Sequence, residues 1–135
     1  MLSGSVHVDA GHTIWLRGGT YSGRFRSQLQ GSATGRITVR SYPGETAVLD
    51  SPVRNAGDVL IIEGRYTDVR DIEVTISDPN RVGVRDAGVQ VAGDHNRLIN
   101  SFIHDTGCGV TSFTAGTNSE IYGNVTSTPA RPTSR

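Results

Sequence analysis

The sequence predicts an all-β solenoid, a chain that winds short strands into stacked coils, and three observations carry that prediction. The first is the kind of apolar residue: 14 Val and 9 Ile stand against 6 Leu, joined by 14 Thr, in 135 residues. Such β-branched side chains are stiff at χ1 and suit a pleated, half-buried surface better than a helix. The second is punctuation, with 17 Gly and 13 Ser falling between short apolar runs. The third is self-similarity at a period of about 20 to 30 residues, with two strands per unit. A repeat of that length marks coils that bury their faces only against one another.

Along the chain, strands are expected at Thr13–Leu16, Ile37–Arg40, Ala47–Leu49, Val59–Glu63, Val69–Ile76, Val89–Val91, Leu98–His104, Val110–Phe113 and Ile121–Val125. No window carries convincing helical spacing, so helices are minor. Leu60–Gly64 and Val69–Val74 recur at an offset of 29 as Val89–Gly93 and Leu98–Ile103, and a loop near Asp78–Asp86 accounts for the extra length. Gly88–Val91 recurs at an offset of 21 as Gly109–Ser112, and Asn96–Ile103 at an offset of 22 as Asn118–Val125. These offsets place Ile72, Ser101 and Gly123, then Val74, Ile103 and Val125, in two inward columns. The outward columns are Asp71, Asn100 and Tyr122; Glu73, Phe102 and Asn124; and Thr75, His104 and Thr126. The same offset makes Asn96 and Asn118 a stacked pair inside a turn.

Charge and length exclude several classes. Thirteen Arg balance thirteen acidic residues, Lys is absent, and the cations are scattered rather than clustered, which argues against a nucleic-acid binder. The longest apolar run, Val59–Ile62, is far short of the roughly 20 residues of a membrane span. Cys108 is alone, so no internal disulfide forms. Met1–Ser5 shows no signal-peptide pattern, which leaves the location unknown from the chain itself.

Several motifs resemble a known family. Gly11-His12-Thr13-Ile14, Gly18-Gly19-Thr20-Tyr21 and Ile37–Glu45 resemble the opening coils of bacterial right-handed parallel β-helix proteins of the pectate-lyase-like superfamily. Ile103-His104-Asp105, Gly107–Val110 and Glu120–Asn124 resemble its later coils. His12 stands where that opening usually has Asp. The resemblance implies a right-handed, single-stranded parallel β-helix of about five coils over residues 1–125, and the segment 126–135, with two Pro and no strand pattern, reads as a disordered tail. The resemblance also implies the N-terminal portion of a longer helix, ended early, and an extracellular or periplasmic location. Repeat proteins cap their ends, so an open last coil around Ile121–Val125 predicts a homo-oligomer formed through that end, a tail folded back over it, or both.

The outward patch is the candidate site. Glu73 and His104, diagonal neighbours on adjacent coils, are the expected proton-transfer pair, with Asp71 as a second carboxylate. Two positions apart on one strand face, Asp71 and Glu73 would be separated by about 6.5 to 7 Å, near the spacing of inverting glycosidases. Asn100, Phe102, Tyr122 and Asn124 supply the amides and aromatic rings that suit sugar binding. The polar-surface alternative is that an exposed sheet carries such residues without any ligand. Together with the resemblance, the patch points to a poly- or oligosaccharide partner, with no nucleic acid and no membrane. A glycoside hydrolase comes first; the alternatives are a polysaccharide lyase and a non-catalytic carbohydrate-binding or structural fragment. Lyases of this resemblance often use Lys with Arg or Ca²⁺. Without Lys, the base would be His or Arg, with Arg65, Arg70 and Arg97 as candidates. No cofactor is expected, Ca²⁺ entering only in the lyase case. Asp94-His95 and His104-Asp105 hold metal-type side chains, but turn chemistry explains them equally. Cys108, four positions after His104, reads as a small filler in a glycine turn, and Trp15 as a cap on the first coil.

Overall fold

A computed structural model describes residues 9–80, 83–112 and 117–127. Fourteen strands wind in three-strand coils: β1 (Thr13–Leu16), β2 (Gly19–Ser22), β3 (Phe25–Ser27), β4 (Ile37–Ser41), β5 (Ala47–Ser51), β6 (Leu60–Ile62), β7 (Thr67–Arg70), β8 (Glu73–Ile76), β9 (Val89–Val91), β10 (Arg97–Ile99), β11 (Phe102–His104), β12 (Val110–Thr111), β13 (Glu120–Tyr122) and β14 (Val125–Ser127). Each third strand joins the same sheet. The first sheet runs β1-β4-β7-β10-β13, the second β2-β5-β8-β11-β14 and the third β3-β6-β9-β12, with every strand pair parallel. The architecture is a right-handed parallel β-helix, the hand that parallel crossovers take.

Apolar side chains fill its interior in stacked columns. Ile14, Val39, Val69, Leu98 and Ile121 are register partners in the first sheet; Leu49, Val74 and Ile103 in the second; Leu60 and Val89 in the third. The middle coils bury these residues almost completely. Each fully buried Val, Leu or Ile contributes about 1.5–3 kcal/mol, so the stack is held by its central columns.

The expected strands and the register of the last coil are corrected. The strands read as Val69–Ile76 and Leu98–His104 are each broken in two by a residue in the left-handed region, Asp71 (φ 57°) and Asn100 (φ 49°). Asn and Asp tolerate that conformation because their short polar side chains bond locally. The last coil pairs one position further on than expected in the first two sheets, Leu98 with Ile121 and Phe102 with Val125. Val125 therefore stacks over Phe102 on the outward face, and Thr126 takes the place beside Ile103. Gly123 stacks on Asn100, both with positive φ, and Asn118 follows His95 and Tyr66 in a column of positive φ rather than Asn96. β14 runs from Val125 to Ser127. Most of the expected tail (128–135), like Phe113 of the expected strand Val110–Phe113, lies outside the described residues. Short strands β2 and β3, unread because they are rich in Gly, Ser and Arg, complete the first coil.

Candidate functional site

The site forms where the first sheet turns into the second. Asp71 and Asn100 occupy that corner, and their left-handed backbone turns both side chains outward on successive coils. Asn100 Nδ2 donates to Asp71 Oδ1 at 2.8 Å. Glu73 on β8 and Phe102 on β11 follow directly, as register partners. Together with Glu45 and Val125 they line a shallow cleft of about 430 Å³.

His104 reaches that cleft through Glu73. Its Nε2 lies 2.7 Å from Glu73 Oε2, and its Nδ1 lies 2.8 Å from Asp105 Oδ2, with Thr75 Oγ1 3.4 Å from the same nitrogen. Phe102 stacks on the imidazole at 4.5 Å between ring centroids and an interplanar angle of 22°. Burial is the largest single influence on His104 and disfavours its charged form. The hydrogen bonds and charges of Glu73 and Asp105 together outweigh it and raise the imidazole above its ordinary value. The result is an imidazole ring clamped between two carboxylates that favour its charged form, with one carboxylate facing the cleft. Asp105 was absent from the sequence-predicted site; its adjacency to His104 and its positive φ of 58°, which turns it back toward the ring, are what bring it in.

The other sequence-predicted residues fall in different places. Asp71 is occupied: Arg40 Nη2 lies 2.7 Å and Arg70 Nε 3.1 Å from its Oδ2, while Asn100 holds Oδ1. Its left-handed backbone also removes the flat-strand geometry behind the predicted Asp71–Glu73 spacing. Tyr122 leaves the Asp71–Asn100 column for the first sheet, as register partner of Ile99. Asn124 is a structural amide rather than part of the outward patch. Its Oδ1 accepts from Ser101 N (2.8 Å) and its Nδ2 donates to the Leu98 carbonyl (3.0 Å), tying the last coil to the one before. Both changes follow from the shifted register of the last coil. Asn96, fully buried, does the same between earlier coils, accepting from Thr67 N and donating to the Ala92 and Glu63 carbonyls.

On the cleft's far rim, Arg17 donates two hydrogen bonds to Glu45 (3.0 and 2.8 Å) and Gly18 N–H adds a third (2.6 Å). These bonds, Arg17's first, hold the Glu45 carboxyl down at about 2.

The fold has a solved counterpart. The chain is similar to an alginate lyase from Paenibacillus sp. str. FPU-7, with a TM-score of 0.71 and 24% sequence identity. That likeness is one of fold, and it covers 85% of this chain and 37% of the lyase, so the chain spans little more than a third of its counterpart's length. No protein-family model and no curated protein matches the sequence. Among the described residues no helix is long and apolar enough to cross a membrane.

The cleft does not fit the Ca²⁺ that a lyase of this fold would bring. Calcium takes six to eight oxygen ligands, usually from several carboxylates. Here Asp71 is held by two guanidinium groups and an amide, Glu45 by Arg17 and Gly18, and Glu73 by His104. No pair of cleft carboxylates is left to share a cation.

Proposed function

We propose that this chain is a polysaccharide-active module that cleaves a uronic-acid polymer by β-elimination at the Glu73–His104 cleft. The observation that carries the reading is the Glu73–His104–Asp105 chain on an outward sheet, in a fold similar to that of an alginate lyase. Hydrolysis by paired carboxylates needs Asp71 free to carry or accept a proton, and two arginines and an amide already engage it. Elimination needs one proton removed and one supplied, which an acid–base pair can perform on one face of the sugar.

In that reaction the Glu73 carboxylate takes the C5 proton, and the electron pair left behind forms the C4–C5 double bond. The C4–O4 bond breaks, and the departing oxygen receives a proton from the His104 imidazolium. The proton on Glu73 then passes across the 2.7 Å bond to His104 Nε2, restoring both groups. Asp105 on the opposite nitrogen keeps the ring oriented and favours its charged form. Arg40 and Arg70, bonded to Asp71 at the cleft corner, supply positive charge for the uronate carboxylate, whose neutralisation acidifies C5–H. A secreted or periplasmic setting and end-to-end association of copies belong to the same reading.

Product chemistry separates the alternatives. The full chain, incubated with alginate and polygalacturonate, is expected to release oligosaccharides with the ultraviolet absorbance of an unsaturated uronate end. Glu73→Gln and His104→Gln are each expected to lower that rate about 100-fold or more, with little change in melting temperature. New reducing ends without the absorbance would mean hydrolysis, and no cleavage of any acidic or neutral glycan would leave a binding or structural module.

A further inference from the structure

The first sheet carries an outward feature that extends beyond the cleft and shares only Arg40 and Arg70 with it. Trp15, Arg40, Arg70, Ile99 and Tyr122 are successive register partners on β1, β4, β7, β10 and β13. They form one column that climbs all five coils, interrupted at the surface only where Ile99 is covered (7% exposed), and at about 4.8 Å per coil its ends lie about 19 Å apart. Trp15 is not a cap on the core. Its neighbours Ile14 and Leu16 pack inward, while Trp15 stays 47% exposed, and Tyr122 at the other end is 49% exposed. Trp15 meets the edge of Tyr42 at 5.9 Å, and the Arg40 guanidinium lies 5.5 Å from the Trp15 ring.

Charge distinguishes this column from its neighbour. Two positions away on the same strands lie Asp68, Arg97 and Glu120, which with Arg36, just before β4, balance one another through contacts of 2.7, 3.7 and 2.9 Å. In the Trp15 column, Arg40 and Arg70 share the single carboxylate of Asp71. Two cations facing one anion leave a positive surplus midway between two exposed aromatic rings. An extended chain of ring sugars bearing carboxylates matches that order, because aromatic faces stack against rings and guanidinium groups pair with carboxylates.

We propose that this column is a binding track for an acidic oligosaccharide lying along the helix axis, with Arg40 and Arg70 pairing with its carboxylates and Trp15 and Tyr122 stacking against rings at the two ends. The track rests on the reading of the ligand as a uronic-acid polymer, and it adjoins the cleft through Asp71, so one glycan chain can be held on the first sheet and cut at its edge.

The test is affinity electrophoresis of the full chain in gels containing alginate, polygalacturonate or neutral hydroxyethylcellulose, alongside the product assay. Retardation is expected in both acidic gels and not in the neutral one, and to weaken with added salt. Arg70→Gln is expected to lower acidic-glycan affinity about tenfold, the scale of a lost charge-assisted contact, with Trp15→Ala and Tyr122→Ala each lowering it severalfold. The two aromatic variants remove half-exposed rings, so they probe the track even where Arg70→Gln unsettles Asp71. Glu73→Gln is expected to bind as the parent does while losing turnover. Parent-like retardation of Arg70→Gln, Trp15→Ala and Tyr122→Ala overturns the track, as does equal retardation in neutral and acidic gels or none in either. The product assay judges the catalytic reading separately: unsaturated product with unchanged binding in these variants sinks the track alone, and track-dependent binding without product sinks the elimination alone.

Discussion

At the scale of single residues, His104 links the site to pH. Its raised value comes from carboxylates on both ring nitrogens overcoming the opposing effect of burial. A group whose value is higher folded than unfolded stabilises the fold fully below its unfolded value, about 6.5 for histidine, and that stabilisation is lost as pH rises through the folded value. Thermal melts at a series of pH values from about 6 upward should therefore show a decline that sets in above the unfolded value and that His104→Gln flattens. An identical pH dependence in parent and variant would show that the clamp is not formed in solution. Glu73 and His104 were legible as neighbours because the offset between their coils is written in matching strands, Leu60–Gly64 against Val89–Gly93. Asp105 was not, because a turn residue shows its direction only through a backbone angle that side-chain periodicity does not encode.

At the scale of the elements, turns set the register and their conformations recur coil by coil. Gly64 and Gly93 both sit at φ 71°, one coil apart, as Asp71, Asn100 and Gly123 repeat a positive φ at the sheet corner. Gly93 and Gly123 share the same angle but not the same space. A Cβ on Gly93 would lie 2.3 Å from the Gly64 carbonyl oxygen and 2.6 Å from Asn96 Nδ2, whereas on Gly123 its nearest neighbour would be Asn100 N at 3.5 Å. Both substitutions to Ala carry the strain of a left-handed residue, about 1 kcal/mol, and only Gly93→Ala adds the displacement of a coil. Chemical denaturation should place Gly93→Ala at least about 2 kcal/mol below the parent and Gly123→Ala nearer to about 1 kcal/mol, and equal losses would contradict the close approach. This is also where the sequence misled. An apparent offset of 22 lies between the true 21 of β9–β12 and 23 of β10–β13, and the difference falls in the turn between those strands. The 21 is read as such, and reading 22 for the 23 moves every partner in the last coil by one position, which puts Val125 inward where it faces outward over Phe102. The middle coils suffered no such error because their strands pair at one offset in all three sheets.

At the scale of the molecule, the two ends of the stack differ from its middle. Leu98 is fully buried, while Ile121, its partner in the same inward column, is 42% exposed, and Val125 beside it is 60% exposed. Among the described residues nothing pairs with the outer edges of β12, β13 and β14, nor with those of β1, β2 and β3 at the opposite end. Exposed strand edges are templates for further pairing. If a second copy meets this end with the same parallel pairing as every other coil, it must run in the same direction, which puts its first coil on the last coil of its neighbour. Such a head-to-tail contact does not close on itself, so it builds assemblies that lengthen with concentration rather than a fixed dimer. Sedimentation velocity over a wide concentration range should show that growth. Tyr122→Lys and Val125→Lys, which place charge on outward, half-exposed positions of the last coil and leave its inward column intact, should return the chain to a monomer at nearly the same melting temperature. A parent that stays monomeric throughout, or a discrete dimer untouched by both substitutions, would rule out stacking through this coil.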